Sequence, residues 1–368
     1  MTTHHMNVAD GERHGMLVLL LLLVFAMVPL PGSAAELTIA VGKPFPDMVF
    51  PSLLDPQDYP KLGVEQAHGP VRLTDIPGKF LAIEFFNKSC RPCQRQVHEM
   101  ETYYQSLLEK GAVPPIRVLA VAVGNKAEYL PRYREKRNMT YPIAADPQFE
   151  QWRRMGEPGR TPFIVFLRRV GSGWVLNSYH FGVHDQAELA DRGLAMLEGR
   201  TARIDGDNVP PRRDRHQKMP LSASELVSRV GLMFARIAGR ELPVETLDLG
   251  DGEIVYRSRI PLNGRWLYGR AATRAPVCEV CHAVHFLYVF DGDGVVMDFQ
   301  PVHVTKYGNE EWSAEDVDYF TQRLSGRHLQ NLDFDPGIDT VTAATMTSAL
   351  IYDEVRRTQA LLEKLLEH

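Results

Sequence analysis

All four cysteines of the chain lie in two Cys-x-x-Cys pairs, Cys90/Cys93 in "EFFNKSCRPCQRQ" and Cys278/Cys281 in "PVCEVCHAVHF". Such a pair can form a redox dithiol or hold half of a metal site. With a histidine directly after it, as His282 stands after Cys281, it can also carry a c-type haem. The surroundings of the first pair favour thiol chemistry. The pattern places Cys90 where a strand ends and a helix begins, so free backbone N–H groups and the helix dipole support a thiolate there. Arg91 adds positive charge. Cys93, one turn into the helix, is expected to be less exposed and to resolve a mixed disulfide. Glu84 interrupts the apolar strand before the pair. A carboxyl buried there has a raised pKa and can take the proton of Cys93.

A third string, "GIDTVTAATMTSALIYDEV" from Gly337 to Val355, is poor in charge and rich in Thr, Ala and Ser. Its plain reading is a helix with Thr342 as N-cap. The same helix start, with free N–H groups beside hydroxyls, also makes a seat for a phosphate.

These residues need elements to position them. Residues 37–199 alternate strand and helix: "KFLAIEFF", an amphipathic helix over "RPCQRQVHEMETYYQSLLEKG", "IRVLAVAVG", and a charged helical stretch, "KAEYLPRYREKRN", interrupted at Pro131. "TPFIVFLRR" and "WVLNSYHFG" form an antiparallel pair across "VGSG", and "DQAELADRGLAMLEG" closes the region as a helix. The order implies a mostly parallel sheet with helices on its faces, an α/β unit. Residues 200–220 are polar, charged and proline-bearing, and read as a linker. Residues 221–368 open with a helix capped by Ser222 or Ser224 and continue as strands with a hairpin turn at "DGDG", an α+β unit.

The whole chain sets the frame. Its 368 residues suit two domains, and its net charge of -5, with no basic face or tail, gives no sign of a nucleic-acid partner. The apolar run Met16–Pro31 is short for a membrane span, which takes roughly twenty residues. Arg13 and His14 precede it, and Ser33 and Ala35 stand where a signal peptidase reads small residues. Residues 1–35 are therefore read as a secretory signal, with an uncleaved anchor as the alternative. The expected location is periplasmic or otherwise exported.

With these residues in place, two resemblances are visible. From Val41 to Leu197 the chain resembles the exported, TlpA-like branch of the thioredoxin superfamily. "VGKPFPDMVFPSL" is similar to its entry strand, "VRLTDIPGKFLAIEFF" to its nucleating strand and "GRTPFIVF" to its cis-proline segment. The resemblance implies a cis Pro162 facing the dithiol, with Thr161 offering backbone to a peptide. Ser89 stands where the family usually has an aromatic residue. From Glu253 to Val355 the chain resembles the FMN-binding domain of the flavin-carrying subunits of the sodium-pumping quinone reductase and the Rnf complex. Their Asp-x-x-(Ser/Thr)-x-Ala-Thr pattern is met by Asp339, Thr342, Ala344 and Thr345, with Ala343 where glycine is commoner. The resemblance implies FMN in a phosphoester bond to Thr345, attached by a periplasmic flavin transferase.

Three readings of "CEVCH" stand side by side. As a dithiol, Cys278/Cys281 pass electrons between flavin and Cys90/Cys93, and the linker keeps one pair near the other. As a haem c site, Cys278 and Cys281 supply thioethers and His282 the axial ligand. As a zinc site the pair lacks further ligands at an established spacing, and no metal is expected. The sequence thus reads as an exported thiol–disulfide oxidoreductase coupled to covalent FMN, with thiol or disulfide proteins or membrane electron donors as partners. Its rivals are an FMN and haem electron carrier, and a non-enzymatic binding or assembly factor on a thioredoxin fold.

Overall fold

The computed structural model describes residues 38–366 apart from 67, 112–114, 199–217, 251 and 278–282. The expected signal segment, nearly all of the expected linker, and Cys278, Cys281 and His282 lie outside the described residues. Among the described residues no helix is long and apolar enough to cross a membrane.

The first unit opens with a short ribbon, β1 (Val49–Phe50) against β2 (Val71–Arg72), with helix α1 (Asp58–Leu62) between them. There follow β3 (Phe80–Phe86), α2 (Arg91–Glu109), β4 (Ile116–Val123), α3 (Leu130–Arg137), β5 (Ile143–Asp146), α4 (Glu150–Arg154), β6 (Phe163–Val170), β7 (Gly173–Phe181) and α5 (Gln186–Leu197). The sheet runs β5-β4-β3-β6-β7. It is mixed rather than mostly parallel: β3 pairs parallel with β4 and β4 with β5, whereas β3–β6 and β6–β7 are antiparallel. The reason is connectivity. Helical crossovers join the parallel strands, but β6 and β7 are joined by a tight turn, which permits only antiparallel pairing. Pro131 does not interrupt a helix. It stands in the first turn of α3, where its missing N–H would have had no partner.

Alternation along β3 divides the core. Leu81, Ile83 and Phe85 face one side, while Ala82, Glu84 and Phe86 face the other with α2 and its Cys93, Val97 and Met100. Each fully buried apolar side chain of this kind contributes about 1.5–3 kcal/mol. Glu84 therefore sits where an apolar residue would be the stabilising choice.

The second unit comprises α6 (Ala223–Ala238), β8 (Glu245–Asp248), β9 (Ile254–Arg259), β10 (Trp266–Arg274), β11 (Val284–Asp291), β12 (Val296–His303), α7 (Ala314–Leu324), α8 (Thr345–Arg357) and α9 (Gln359–Leu366). Its sheet is an antiparallel meander in the order β12-β11-β10-β9-β8. On one face α6 packs Val230, Met233 and Phe234 against Leu267, Leu287 and Val289. On the other, Phe320 of α7 and Tyr352 of α8 join Phe286, Tyr288 and Phe299 in one apolar cluster. β11 is thus buried on both faces. Gly269 in β10 lets α6 lie this close, since a Cβ there would fall 2.6 Å from Val230 Cγ1.

Salt bridges fasten the units together. Arg153 of α4 reaches Asp353 of α8 at 2.8 Å, and the buried Arg274 of β10 bridges Glu157 at 2.9 Å and Asp353 at 2.6 Å.

Candidate active site: a dithiol and a threonine on one cleft

Cys90 is the N-cap residue of α2, in extended conformation, with Pro92 in the first turn and no side chain capping the helix. Asn87 shapes the approach. Its side-chain amide donates to Val123 O at 2.7 Å, its side-chain oxygen accepts from Ser89 N at 2.8 Å, and its backbone carbonyl accepts from Cys90 N at 3.0 Å. Nothing in residue type alone singled Asn87 out. Cys90 is 5% exposed and Cys93 fully buried. Burial, followed by the hydrogen bond and charge of Cys90, pushes the Cys93 thiol well above the ordinary thiol range. Cys93 is therefore held protonated until a base takes its proton.

The candidate base lies in the strand behind. Glu84 is fully buried, and burial lifts its pKa to about 8, opposed by the Tyr141 hydroxyl, which donates to one carboxyl oxygen at 2.7 Å. The other oxygen has no hydrogen-bond partner among the described residues. Charge on Cys90 raises the Glu84 pKa further, so the carboxyl and the dithiol sense each other. Tyr133, stacked on Phe86, is a third member of this shell. Burial, then the charges of Glu84 and Cys93, push its phenol up.

The peptide bond before Pro162 is cis. The Cys90 thiol donates to the Thr161 carbonyl at 3.5 Å. On its other side Thr161 faces the second unit: its N–H and its hydroxyl both donate to the Val277 carbonyl, each at 2.7 Å.

Thr345 opens α8. The helix does not start at Thr342. Ala343 takes a left-handed φ of 62°, Ala344 N donates back to Val341 O, and only then does the helix begin, with Ala344 as an N-cap that offers no side chain. That left-handed residue is the position where the resemblance has glycine, which adopts such a φ without strain. The Thr345 hydroxyl has no hydrogen-bond partner among the described residues, and Thr345 lines the cleft. The other residues of the pattern do different work. Asp339 accepts from Arg327 at 3.1 Å and from Asp335 N at 2.8 Å, so its carboxylate fixes the loop rather than facing the cleft. Thr342 is exposed, Ala344 is buried, and neither lines the cavities. Asp339, Thr342 and Ala344 thus belong to the turn that presents Thr345.

Two adjoining cavities occupy the cleft between the units, sharing Asn87, Thr345 and Met346. One, of about 260 Å³, is lined by Cys90, Arg91, Lys306 and Tyr307 besides the shared residues. The other, of about 250 Å³, adds Lys88, Lys126, Tyr129 and Arg356. Cations, aromatic rings and an unpartnered hydroxyl at a helix start suit an anionic, flat ligand. Tyr129, Tyr307 and Lys306 were not legible as site residues, because they come from distant parts of the chain and meet only through packing. Among the described residues no cluster of metal-ligating side chains occurs.

Residues 41–165 match the family model described as the AhpC/TSA family. The chain is 29% identical over 128 residues to the thiol-disulfide oxidoreductase ResA of Geobacillus thermodenitrificans (strain NG80-2), covering 34% of this chain and 64% of that protein. It is 30% identical over 110 residues to the ResA of Geobacillus kaustophilus (strain HTA426), covering 30% and 53%. The chain therefore spans less than two thirds of the length of these curated relatives. Among solved structures it is similar to StoA from Bacillus subtilis, at TM-score 0.31 and 12% identity, covering 41% of this chain and 97% of that one. The first unit is a thioredoxin-like domain whose curated relatives are thiol-disulfide oxidoreductases.

Proposed function

We propose that the chain is an exported thiol–disulfide oxidoreductase coupled to FMN carried on Thr345. The observation that carries this reading is that Cys90 and Thr345 line the same cavity. Export rests on the apolar N-terminal segment with its small residues at Ser33 and Ala35. Bound FMN supplies a two-electron donor or acceptor beside the dithiol, and its attachment calls for a flavin transferase.

The chain's own residues do the rest. The Cys90 thiolate attacks one sulfur of a disulfide, and the other sulfur leaves as thiolate. Glu84, ionised above its raised pKa, takes the proton of Cys93. Cys93 then attacks Cys90, closing a Cys90–Cys93 disulfide and releasing the second thiol, so two electrons pass to the client. Arg91 and the free N–H groups at the start of α8 hold negative charge near Thr345, Lys306 being paired with Asp316, and Tyr307 and Tyr129 offer ring faces. In this reading Cys278 and Cys281 exchange with Cys90. The docking of Val277, their neighbour in sequence, on Thr161 supports it.

The test uses the full chain expressed with a flavin transferase. Dithionite-reduced flavin is mixed with Cys90–Cys93 in the disulfide form, and free thiols are counted by mass-tagging. Two new thiols per oxidised flavin are expected. Flavin that reoxidises with no thiol gained rejects the coupling, and a Soret band in the visible spectrum replaces the second dithiol with haem.

A further inference from the structure

We propose that the second unit occludes the dithiol: the backbone of Val277 occupies the edge beside Cys90, so the docked chain excludes external protein disulfides and admits only small reactants through the cleft. The proposal rests on the dithiol of the proposed function but not on flavin.

Thr161 is the hinge of the argument. Its carbonyl receives the Cys90 thiol, and its two donors converge on one acceptor, the Val277 carbonyl. Both donors are spent on the chain's own backbone, and none is left for the backbone of an incoming protein at that position. Val277 is 1% exposed, so the contact is packed rather than a surface touch. On another side, the Arg91 guanidinium, next to Cys90, lies 4.6 Å from the Tyr307 ring centroid. The salt bridges Arg153–Asp353 and Arg274–Glu157 fasten the same interface. Cys90 is left 5% exposed. Exchange requires the attacking sulfur to approach a disulfide sulfur in line. A folded protein cannot present a disulfide to a sulfur so enclosed. A small disulfide can, because the cavity beside Cys90 measures about 260 Å³.

The test is made on the full chain, produced without a flavin transferase and carrying Cys278→Ser and Cys281→Ser, so that Cys90 and Cys93 are its only thiols. Single-turnover reduction of insulin, in which one insulin disulfide is reduced as the Cys90–Cys93 disulfide forms, is compared with single-turnover reduction of oxidised glutathione. Two openings are used. Val277→Asp puts a charge into the packed contact, and Glu157→Lys turns the Arg274 salt bridge into a repulsion while leaving Val277 and Thr161 unchanged. Each should raise the insulin rate at least about tenfold, the worth of one or two net hydrogen bonds. The glutathione rate should stay within about threefold, since its path through the cleft is already open. Glu157→Lys covers the case in which Val277→Asp fails to fold, and circular dichroism reports folding for both. An insulin rate that matches the parent in a folded variant overturns the proposal, as does a parent that reduces insulin as fast as glutathione. A parent inert to glutathione as well would instead sink the dithiol chemistry itself.

Discussion

Two helix starts face one cleft, and they are supported in opposite ways. Helix α2 presents Cys90 and α8 presents Thr345, each with no side chain satisfying its first amides. Behind Cys90 stands a shell of buried titratable groups, Cys93, Glu84, Tyr133 and Tyr141, in which the pKa of every member is raised by burial. Behind Thr345 stands a turn held by fixed bonds: Asp339 to Arg327, Val341 N to Ser348 Oγ, and Thr347 Oγ1 to Thr305 O. The first arrangement can store and release protons at little structural cost. The second keeps one hydroxyl in place. A helix start lends the same partial charge to both, and what lies behind it differs: titratable groups at one, fixed hydrogen bonds at the other.

The largest effects should separate the two starts completely. Cys90→Ser should reduce turnover of glutathione disulfide to the uncatalysed background while leaving flavin on the chain. Thr345→Val should do the reverse, abolishing the ultraviolet fluorescence of the denatured band on a gel while glutathione turnover persists. Fluorescence that survives in Thr345→Val, or turnover that survives in Cys90→Ser, breaks the comparison at that end.

Glu84→Gln sharpens it. Release of a trapped Cys90 mixed disulfide should slow by roughly 10²-fold, the lower range for loss of a general base, with its formation unchanged. Stability should respond too. In the folded chain the Glu84 pKa is about 8 against 4.5 when exposed, so between these values the folded state holds a proton that the unfolded state has released. Folding stability then falls as pH rises through that window. Removing the group removes the loss, so thermal melts at pH 5 and pH 8 should differ less for Glu84→Gln than for the wild type, by on the order of a few kcal/mol. Equal pH dependence in the two proteins would mean that Glu84 meets water.

The smallest effect lies at the second helix start. Ala343→Gly should stabilise the chain by about 0.5–1 kcal/mol, since alanine carries the cost of a left-handed φ that glycine avoids. A denaturant midpoint that falls instead would mean that the loss of Gly backbone entropy outweighs that relief.

Much of the first unit could be read from local pattern. The strand–dithiol–helix order follows from β3 and α2, and Glu84 stood out because it breaks an apolar run. The β6–β7 hairpin is legible from its turn, but the parallel fraction is overestimated because nothing in the apolar signal of β6 tells that it pairs antiparallel with β3. In the second unit, alternation and the "DGDG" turn were enough to find β11 and β12. Helix α7 was passed over although Ser313 and Asp316 form a capping box at its start. The start of α8 reads two residues early, with Thr342 rather than Ala344 as N-cap, because no glycine marks the left-handed turn at Ala343. The cleft itself was invisible. Tyr129, Lys306 and Tyr307 carry no periodicity or motif, and only the packing of one unit on the other brings them together.

Arg274 alters the role of the residues that join the two units. It is 3% exposed, with three carboxylates in reach, one from the first unit and two from α8. Breaking such a buried set by removing one partner costs about 3–5 kcal/mol. Held this firmly, the halves behave as subunits that share a chain rather than as partners that find each other on a leash. Under the proposed function, traffic between Cys90 and Thr345 is then a property of a fixed architecture: its rate is independent of dilution, and residues 200–220 could lengthen or change composition without altering it.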